Sequence, residues 1–145
     1  MTDPRMIVCP HCGSTNRVAG DKSLADGKCG KCHEPLFDGQ PANVDAATFE
    51  RQISRSDVPV VVDFWADWCG PCHMMAPSFE AAARTLEPRM RFLKLDTEAN
   101  PQVAARYDIR GSPNLIVFRH GKIVAQKAGA MDARTLTAWL EQYAG

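Results

Sequence analysis

The apolar residues of this chain follow two patterns, a continuous run typical of a buried strand and a three-to-four spacing typical of a helix. The two patterns adjoin near the centre of the chain. Residues 60–65 form a nearly unbroken run of β-branched and aromatic side chains, which is typical of a strand buried on both faces. Asp63 is the one interruption of this run. Beyond Cys72 the large apolar residues recur every three or four positions up to Leu86, and Pro88 ends this helical pattern. The sequence therefore predicts a buried strand, a short turn and a helix.

The same two spacings predict the other elements of the domain. Strands are expected over residues 92–96, 114–118 and 122–127, and His120-Gly121 is expected to close the last two into a hairpin. Residues 37–44 form a connection that can include a first edge strand. Three further helices are expected to begin after the capping residues Asp45, Asn100 and Asp132. This order predicts an α/β domain with a mixed sheet of four to five strands sandwiched by helices.

Composition and charge argue against nucleic-acid-binding and membrane-spanning functions. The 145 residues contain 17 Lys and Arg against 17 Asp and Glu. The chain therefore lacks the basic excess that nucleic-acid binding requires. No apolar stretch approaches the roughly 18 to 20 residues of a membrane span, and no secretory signal pattern is present. We expect a monomeric cytoplasmic protein that binds neither nucleic acids nor membranes.

All six cysteines lie in Cys-x-x-Cys pairs, the spacing of metal or redox sites in a reducing compartment. Sixteen residues separate the first two pairs, a spacing within the range of zinc ribbons. We therefore predict one structural zinc ion held by Cys9, Cys12, Cys29 and Cys32. Residues 1–40 have too few large apolar side chains to fold alone, so metal binding must dominate the folding of this zinc module. The second domain then comprises residues 41–145.

Alternatives remain for the four cysteines of the zinc module. They could form two further redox dithiols or hold an iron–sulfur cluster, and His11 or His33 could replace a ligand. Exposed positions suit the histidines better, because four thiolates already satisfy zinc. Gly13 and Gly30 are expected to let each cysteine pair turn closely around a sulfur.

Cys69 and Cys72 lie where the predicted central strand passes into the helix. The first turn of a helix presents free N–H groups and a positive dipole end, which stabilise a thiolate at Cys69. Pro71 suits this turn because its missing N–H is not needed there. We predict that Cys69 attacks a substrate disulfide and that Cys72 resolves the mixed disulfide. A third metal-binding pair would need a partner pair, and no cysteine follows Cys72.

These residues carry a resemblance to a known family. Trp68-Cys69-Gly70-Pro71-Cys72, preceded by Val62-Asp63-Phe64-Trp65-Ala66, resembles the active-site stretch of thioredoxins. The likeness continues through Ala76-Pro77, Gly111-Ser112-Pro113 and Gly129-Ala130, and the first 40 residues resemble the zinc module of the thioredoxin-2 branch. The resemblance implies a thioredoxin fold and protein-disulfide reductase activity. It also implies disulfide-containing proteins as substrates and recycling by thioredoxin reductase with NADPH.

The resemblance assigns a role to two charged residues. Asp63 would be a buried carboxylate that accepts the proton of Cys72, and Lys94 would be a partner charge that moderates the pKa of Asp63. A polar strand residue with a structural hydrogen bond remains the alternative for Asp63. A lysine that extends its charged end to solvent remains the alternative for Lys94.

The resemblance also implies a surface for the substrate. The Ser112-Pro113 bond would be cis, with Pro113 beside Cys69 and the Ser112 backbone pairing with a substrate strand. A flat apolar surface around the sulfur would comprise Trp68, Gly70, Pro71, Gly129 and Ala130. Trp65, Met74 and Met75 are expected to be ordinary packing or helix residues.

Three positions depart from the family pattern. Ser112 stands where an apolar residue is usual, Asn114 where threonine is usual, and His73 where lysine or arginine is common. Because histidine changes charge near neutral pH, its help to the thiolate would vary with pH. Two other functions remain alternatives: a disulfide isomerase or oxidant, and a protein whose zinc module binds a specific partner. Gly-Pro between the active cysteines resembles the reducing members of the family, and this resemblance favours the reductase.

Overall fold

The computed structural model describes residues 2–145 of the chain. No helix in this range is both long and apolar enough to cross a membrane. A 3-10 turn at Leu24–Asp26 lies in the zinc module. The strands and helices, in chain order, are β1 (Arg5–Val8), β2 (Thr15–Val18), β3 (Ala42–Asn43), α1 (Ala46–Arg55), β4 (Val60–Trp65), α2 (Gly70–Leu86), β5 (Arg91–Asp96), α3 (Pro101–Arg106), β6 (Asn114–Arg119), β7 (Lys122–Ala128) and α4 (Ala133–Glu141).

The main sheet has five strands in the order β3, β5, β4, β6, β7. The central strand β4 runs parallel to β5 and antiparallel to β6. The short strand β3 pairs in parallel with β5 at one edge, and the hairpin strand β7 forms the other edge. This mixed sheet confirms the predicted fold class.

Helices cover both faces of the sheet, because successive side chains of each strand point to opposite faces. On one face Val62 packs with Phe49 of α1. On the other face Val61 packs with Phe79 of α2 and Leu136 of α4. The central strand is therefore buried on both sides, as its unbroken apolar sequence predicts.

Local signals in the sequence set several element boundaries. The carboxylates of Asp45 and Asp132 each accept a hydrogen bond from a backbone N–H in the first turn of α1 and α4, respectively. His120 and Gly121 have φ angles of 48° and 80°, as a tight two-residue hairpin turn requires. These predictions are confirmed.

Asn100 precedes Pro101 at the start of α3, but its side chain does not cap that helix. The amide nitrogen donates to the carbonyl of Asp96 at 3.0 Å, and the amide oxygen accepts from the N–H of Ala46 at 3.1 Å. The prediction of a side-chain cap is wrong here, because the side chain instead joins the end of β5 to the start of α1.

The zinc module contains the antiparallel pair β1 and β2. Its small core includes Ile7, Leu36 and Phe37 together with two of its cysteines, and Val58 of the second domain packs against them. The module thus completes its core with a residue from beyond the predicted domain boundary.

Backbone groups of β1 are hydrogen-bonded to α1 and the segment that follows it. The N–H of Val8 donates to the hydroxyl of Ser56 at 3.1 Å, and the side-chain amide of Gln52 donates to the carbonyl of Val8 at 2.9 Å. The N–H of Asp57 donates to the carbonyl of Met6 at 2.8 Å. Helix α1, which packs against the main sheet, therefore also holds the zinc module.

Candidate active site and metal centre

The two cysteines of the third pair lie at the start of α2, directly after the central strand. Cys69 occupies the N-cap position, and Cys72 lies in the first turn. A disulfide joins them, with their Cα atoms 5.3 Å apart, and both residues are buried. The predicted passage from strand to helix therefore brings the two sulfurs together.

The helix terminus supplies a hydrogen bond to the first sulfur. The N–H of Cys72 donates to Sγ of Cys69 at 3.2 Å. This N–H is one of the groups without an intrahelical partner at a helix start, where the dipole also favours negative charge. The same geometry stabilises a thiolate on Cys69 when the disulfide is reduced.

Asp63 lies on the central strand and faces the same side of the sheet as Val61, the side that α2 covers. Its residue exposure is 1%, and its Oδ1 has no hydrogen-bond partner. Burial raises the pKa of Asp63 to about 7, and the positive charge of Lys94 opposes part of that rise. A carboxyl group of this pKa can both accept and release a proton near neutral pH.

Lys94 is the residue of β5 directly opposite Asp63. Its Nζ lies 5.1 Å from the centre of the Trp65 indole ring, a cation–π distance. Lys94 also lines a polar groove open to solvent, together with Glu80 and Arg84. Lys94 therefore lowers the pKa of Asp63 and also borders a solvent-open groove.

His73 follows Cys72 in α2 and lies at the protein surface. Its ring meets Trp65 edge to face with centroids 6.4 Å apart, and its Nε2 donates to the carbonyl of Asp67 at 2.6 Å. The N–H of His73 donates to the carbonyl of Cys69 at 3.4 Å. The position that departs from the family pattern therefore contacts the turn that carries Cys69.

The Ser112-Pro113 bond is cis, as the resemblance implies. Asn114 begins β6 and pairs with Phe64 near the end of β4, so Pro113 lies at the same end of the sheet as the turn to Cys69. The carbonyl of Pro113 accepts from the N–H of Gly129 at 2.9 Å. Gly129 has a φ of 97°, a conformation that favours glycine.

The residues predicted for a docking surface are exposed. The Trp68 residue is 71% exposed, which is unusual for so large an apolar side chain. Gly70, Pro71, Gly129 and Ala130 are also exposed. Met75 is buried in the core as predicted, but Met74 is 79% exposed. Met74, only two positions after Cys72, is thus an exposed apolar residue that the sequence pattern does not identify.

The four cysteines of the zinc module have the geometry of a four-thiolate metal site. Their Sγ atoms all lie within 4.8 Å of one another, and the pairs Cys9–Cys32 and Cys12–Cys29 are 3.6 Å apart. A tetrahedral site with Zn–S bonds of 2.3 Å has sulfurs about 3.8 Å apart. Among the described residues, the cluster contains the four cysteines alone. His11 and His33 are exposed and lie outside it. The residues therefore fit zinc.

Backbone and side-chain donors surround the sulfurs. The N–H of His11 donates to Sγ of Cys9, and the N–H of Lys31 donates to Sγ of Cys29, both at 3.4 Å. The amide of Asn16 lies 3.5 Å from Sγ of Cys29. Donors of this kind orient metal-binding thiolates and offset their charge. Asn16 is a further residue of the site that the cysteine spacing could not identify.

The two glycines of the module differ in backbone conformation. Gly13 has a φ of 78°, but Gly30 does not adopt a positive φ. The residue with that conformation in the second cysteine pair is His33, with a φ of 68°. Gly13 and His33 each lie four positions after the first cysteine of their pair, and that position is where the backbone must turn.

Family models match both parts of the chain. A model described as Thioredoxin matches residues 40–142, and one described as Thioredoxin 2, N-terminal matches residues 8–34. Thioredoxin C-3 of Corynebacterium nephridii is 42% identical over 137 residues, which is 94% of each chain. Thioredoxin 1 of a Nostoc species is 44% identical over 102 residues, 70% of this chain and 95% of that protein.

Solved structures show the same similarity. A thioredoxin of Malassezia sympodialis matches with a TM-score of 0.66 and 30% identity, covering 79% of this chain and 99% of that one. A mutant thioredoxin from Halobacterium salinarum matches with a TM-score of 0.67 and 32% identity, covering 75% and 95%. The chain therefore belongs to the thioredoxin family of protein-disulfide oxidoreductases and carries an N-terminal zinc ribbon of the thioredoxin 2 type.

Proposed function

We propose that this chain is a cytoplasmic protein-disulfide reductase of the thioredoxin-2 type. The observation that carries the proposal is the Cys69–Cys72 disulfide at the start of α2, with the Cys72 N–H donating to Sγ of Cys69. Thioredoxin reductase would return the disulfide to the dithiol with two electrons from NADPH. Disulfide-containing proteins are the substrates.

The reaction divides into two exchanges. The Cys69 thiolate attacks one sulfur of the substrate disulfide, forming a mixed disulfide and releasing the other substrate sulfur as a thiolate, which takes up a proton. The Cys72 thiolate then attacks Sγ of Cys69, which breaks the mixed disulfide, and the second substrate sulfur leaves as a thiolate that takes up a proton. The protein is oxidised by two electrons and the substrate is reduced by two.

Asp63 is suited to support the second exchange. Cys72 must lose its proton before it attacks, and Asp63 lies on the α2 side of the sheet with a pKa of about 7. We infer that Asp63 accepts that proton, directly or through a water molecule. Lys94 keeps the pKa of Asp63 from rising further, so that the carboxylate is available at neutral pH.

Substrate would bind on the exposed apolar surface formed by Trp68, Gly70, Pro71, Gly129 and Ala130, and extended by Met74. Such a surface fits protein segments of varied sequence, since it contains no charged side chain. The backbone of Ser112, next to the cis proline, would pair with an extended substrate strand.

Paired cysteine variants test the nucleophile with insulin as the disulfide substrate. In Cys72→Ser the attack proceeds but the resolution does not, so we expect a covalent complex that dithiothreitol releases. Cys69→Ser keeps one thiol in the same turn, and we expect no complex from it. Capture by Cys69→Ser alone would reverse the assignment, and absence of capture by either variant would reject the exchange mechanism.

We also propose that the zinc module holds one structural zinc ion through Cys9, Cys12, Cys29 and Cys32. Four thiolates close the coordination sphere of zinc and leave no position for substrate, so the ion stabilises the fold of the module. Elemental analysis of the reduced full chain should find one zinc and no iron per molecule. Iron in its place, or no retained metal, would reject this part of the proposal.

A further inference from the structure

Arg91 is a charged residue with almost no access to solvent. It opens β5 and lies between the main sheet and the zinc module, and its residue exposure is 1%. An arginine cannot shed its charge at physiological pH, and burying an uncompensated charge is costly. A fully buried guanidinium therefore requires negative charge nearby.

The groups that touch Arg91 do not provide enough of that charge. One terminal nitrogen donates to the carbonyl of Val8 at 3.3 Å, the guanidinium carbon lies 4.0 Å from the centre of the Phe37 ring, and Nε has no partner. The carboxylate of Glu87 is 3.9 Å away, which is long for an ion pair.

Glu87 has other hydrogen-bond partners, and its carboxyl group is not fully ionised. Its two oxygens accept hydrogen bonds from the backbone N–H groups of Gly39 and Phe92. Burial raises the pKa of Glu87 to about 7, so a fraction of it is protonated at neutral pH. The neutralisation of Arg91 by this carboxylate alone is incomplete.

Two further groups that act on Arg91 lie in residues 1–40, namely Cys9 and the carboxylate of Asp38. Val8, whose carbonyl Arg91 contacts, immediately precedes Cys9. Phe37, over whose ring the guanidinium lies, packs in the same small core as Cys9. Four thiolates around Zn²⁺ carry a net charge of about −2, and their field acts through a poorly solvated interface.

We propose that Arg91 is the counter-ion that the thioredoxin fold supplies to the four-thiolate zinc centre. Zinc binding then stabilises the buried guanidinium, and the guanidinium in turn raises the affinity of the four cysteines for zinc. Docking of the module and loading of the metal thus favour each other. Arg91 is a positioning residue of the metal centre, and this inference rests on the zinc binding proposed above.

Gln52 provides a matched control. Its side-chain amide donates to the same Val8 carbonyl at 2.9 Å, is equally buried, and carries no charge. If Arg91 served only to hold Val8, Arg91→Met and Gln52→Met would weaken zinc binding alike. If its charge matters, Arg91→Met has the larger effect, and Arg91→Lys recovers most of the loss.

The experiment is a competition titration of zinc between the reduced full-length chain and a chromophoric chelator. We expect zinc affinity to fall by at least about tenfold in Arg91→Met, as is common when a group outside the ligand set is removed, and by far less in Gln52→Met. Equal affinity of Arg91→Met and the native chain would overturn the inference alone. Failure of the native chain to bind zinc would overturn both the inference and the proposed zinc site.

The native chain provides a second test should Arg91→Met fail to fold. Hydrogen exchange of the Val8 and Asp57 amides, which bond across the interface, reports on docking of the module. We expect these amides to exchange at least about tenfold faster once zinc is removed under reducing conditions. Equal exchange with and without zinc would contradict the coupling.

Discussion

Asp63 and Lys94 lie directly opposite each other on the parallel strands β4 and β5, and both point to the sheet face that α2 covers. Burial of Asp63 and the charge of Lys94 act on the pKa of this carboxyl in opposite directions, and burial has the larger effect. The pKa of about 7 that results is the property on which the first two predictions depend.

Replacing Asp63 by asparagine should stabilise the fold, and more so at high pH. The pKa of Asp63 rises from an ordinary 3.8 to about 7 on folding. The unfolded chain thus ionises first, and the native protein loses stability as the pH increases from about 4 to about 7, by on the order of 4 kcal/mol. Urea unfolding at pH 5 and pH 8 measures this difference.

Asp67→Asn is the control for that experiment, because Asp67 is exposed on the neighbouring turn. We expect Asp67→Asn to follow the pH dependence of the native chain. A stability gain of Asp63→Asn that is the same at both pH values would show that Asp63 is not buried as an acid of raised pKa.

The same Asp63→Asn substitution should slow the second exchange of the reaction. Without the carboxylate, Cys72 must lose its proton to solvent, so we expect the mixed disulfide to decay roughly tenfold or more slowly between pH 6 and pH 8. Single-turnover decay of a preformed mixed disulfide measures this step. Unchanged decay across that range would exclude Asp63 as the proton acceptor.

Trp68→Ala should weaken substrate binding without weakening the fold. The side chain is largely exposed, so its removal leaves no cavity in the core. Tryptophan is enriched among the few interface residues whose truncation costs more than about 1 kcal/mol. We expect KM for a protein disulfide to rise about tenfold, with the melting temperature nearly unchanged. Ile123→Ala, at an exposed apolar position on β7, should leave both unchanged. An equal rise in KM for the two variants would argue against a docking surface at Trp68.

His73→Lys should alter the titration of the active thiol. Lysine places a permanent positive charge beside the turn that holds Cys69. We expect Cys69 to be alkylated faster above pH 7 in the variant, since a constant positive charge favours the thiolate. His120→Lys, in the β6–β7 turn, is the control. Superimposable alkylation profiles of His73→Lys and the native chain would remove His73 from the site.

The sequence predicts most of this fold because its signals are local. The run at residues 60–65, the capping residues Asp45 and Asp132, and the His120-Gly121 turn each identify an element from a few adjacent residues. The Cys-x-x-Cys spacings likewise identify the redox dithiol and the zinc site, because two intervening residues place both cysteines of a pair in one turn, where they can act together.

The features that the sequence does not reveal depend on long-range contacts. In the sequence, Arg91 and Gln52 are ordinary polar residues. In the structure both are buried, and both bond to Val8 of the zinc module. Asn100 has the right position for a helix cap, but its side-chain amide forms hydrogen bonds to the backbone of Ala46 and Asp96 instead. His33 has the positive φ of the second cysteine pair at the residue whose N–H donates to the Cys29 carbonyl, and its residue type does not announce that conformation.

The central claim is that Cys69 is the nucleophile of a disulfide reductase recycled by thioredoxin reductase. The most direct test follows NADPH consumption with thioredoxin reductase and insulin, comparing the intact zinc-loaded chain with Cys69→Ser. We predict steady turnover for the intact chain and none for Cys69→Ser. Turnover that survives the substitution, or no turnover by the intact chain, would contradict the claim.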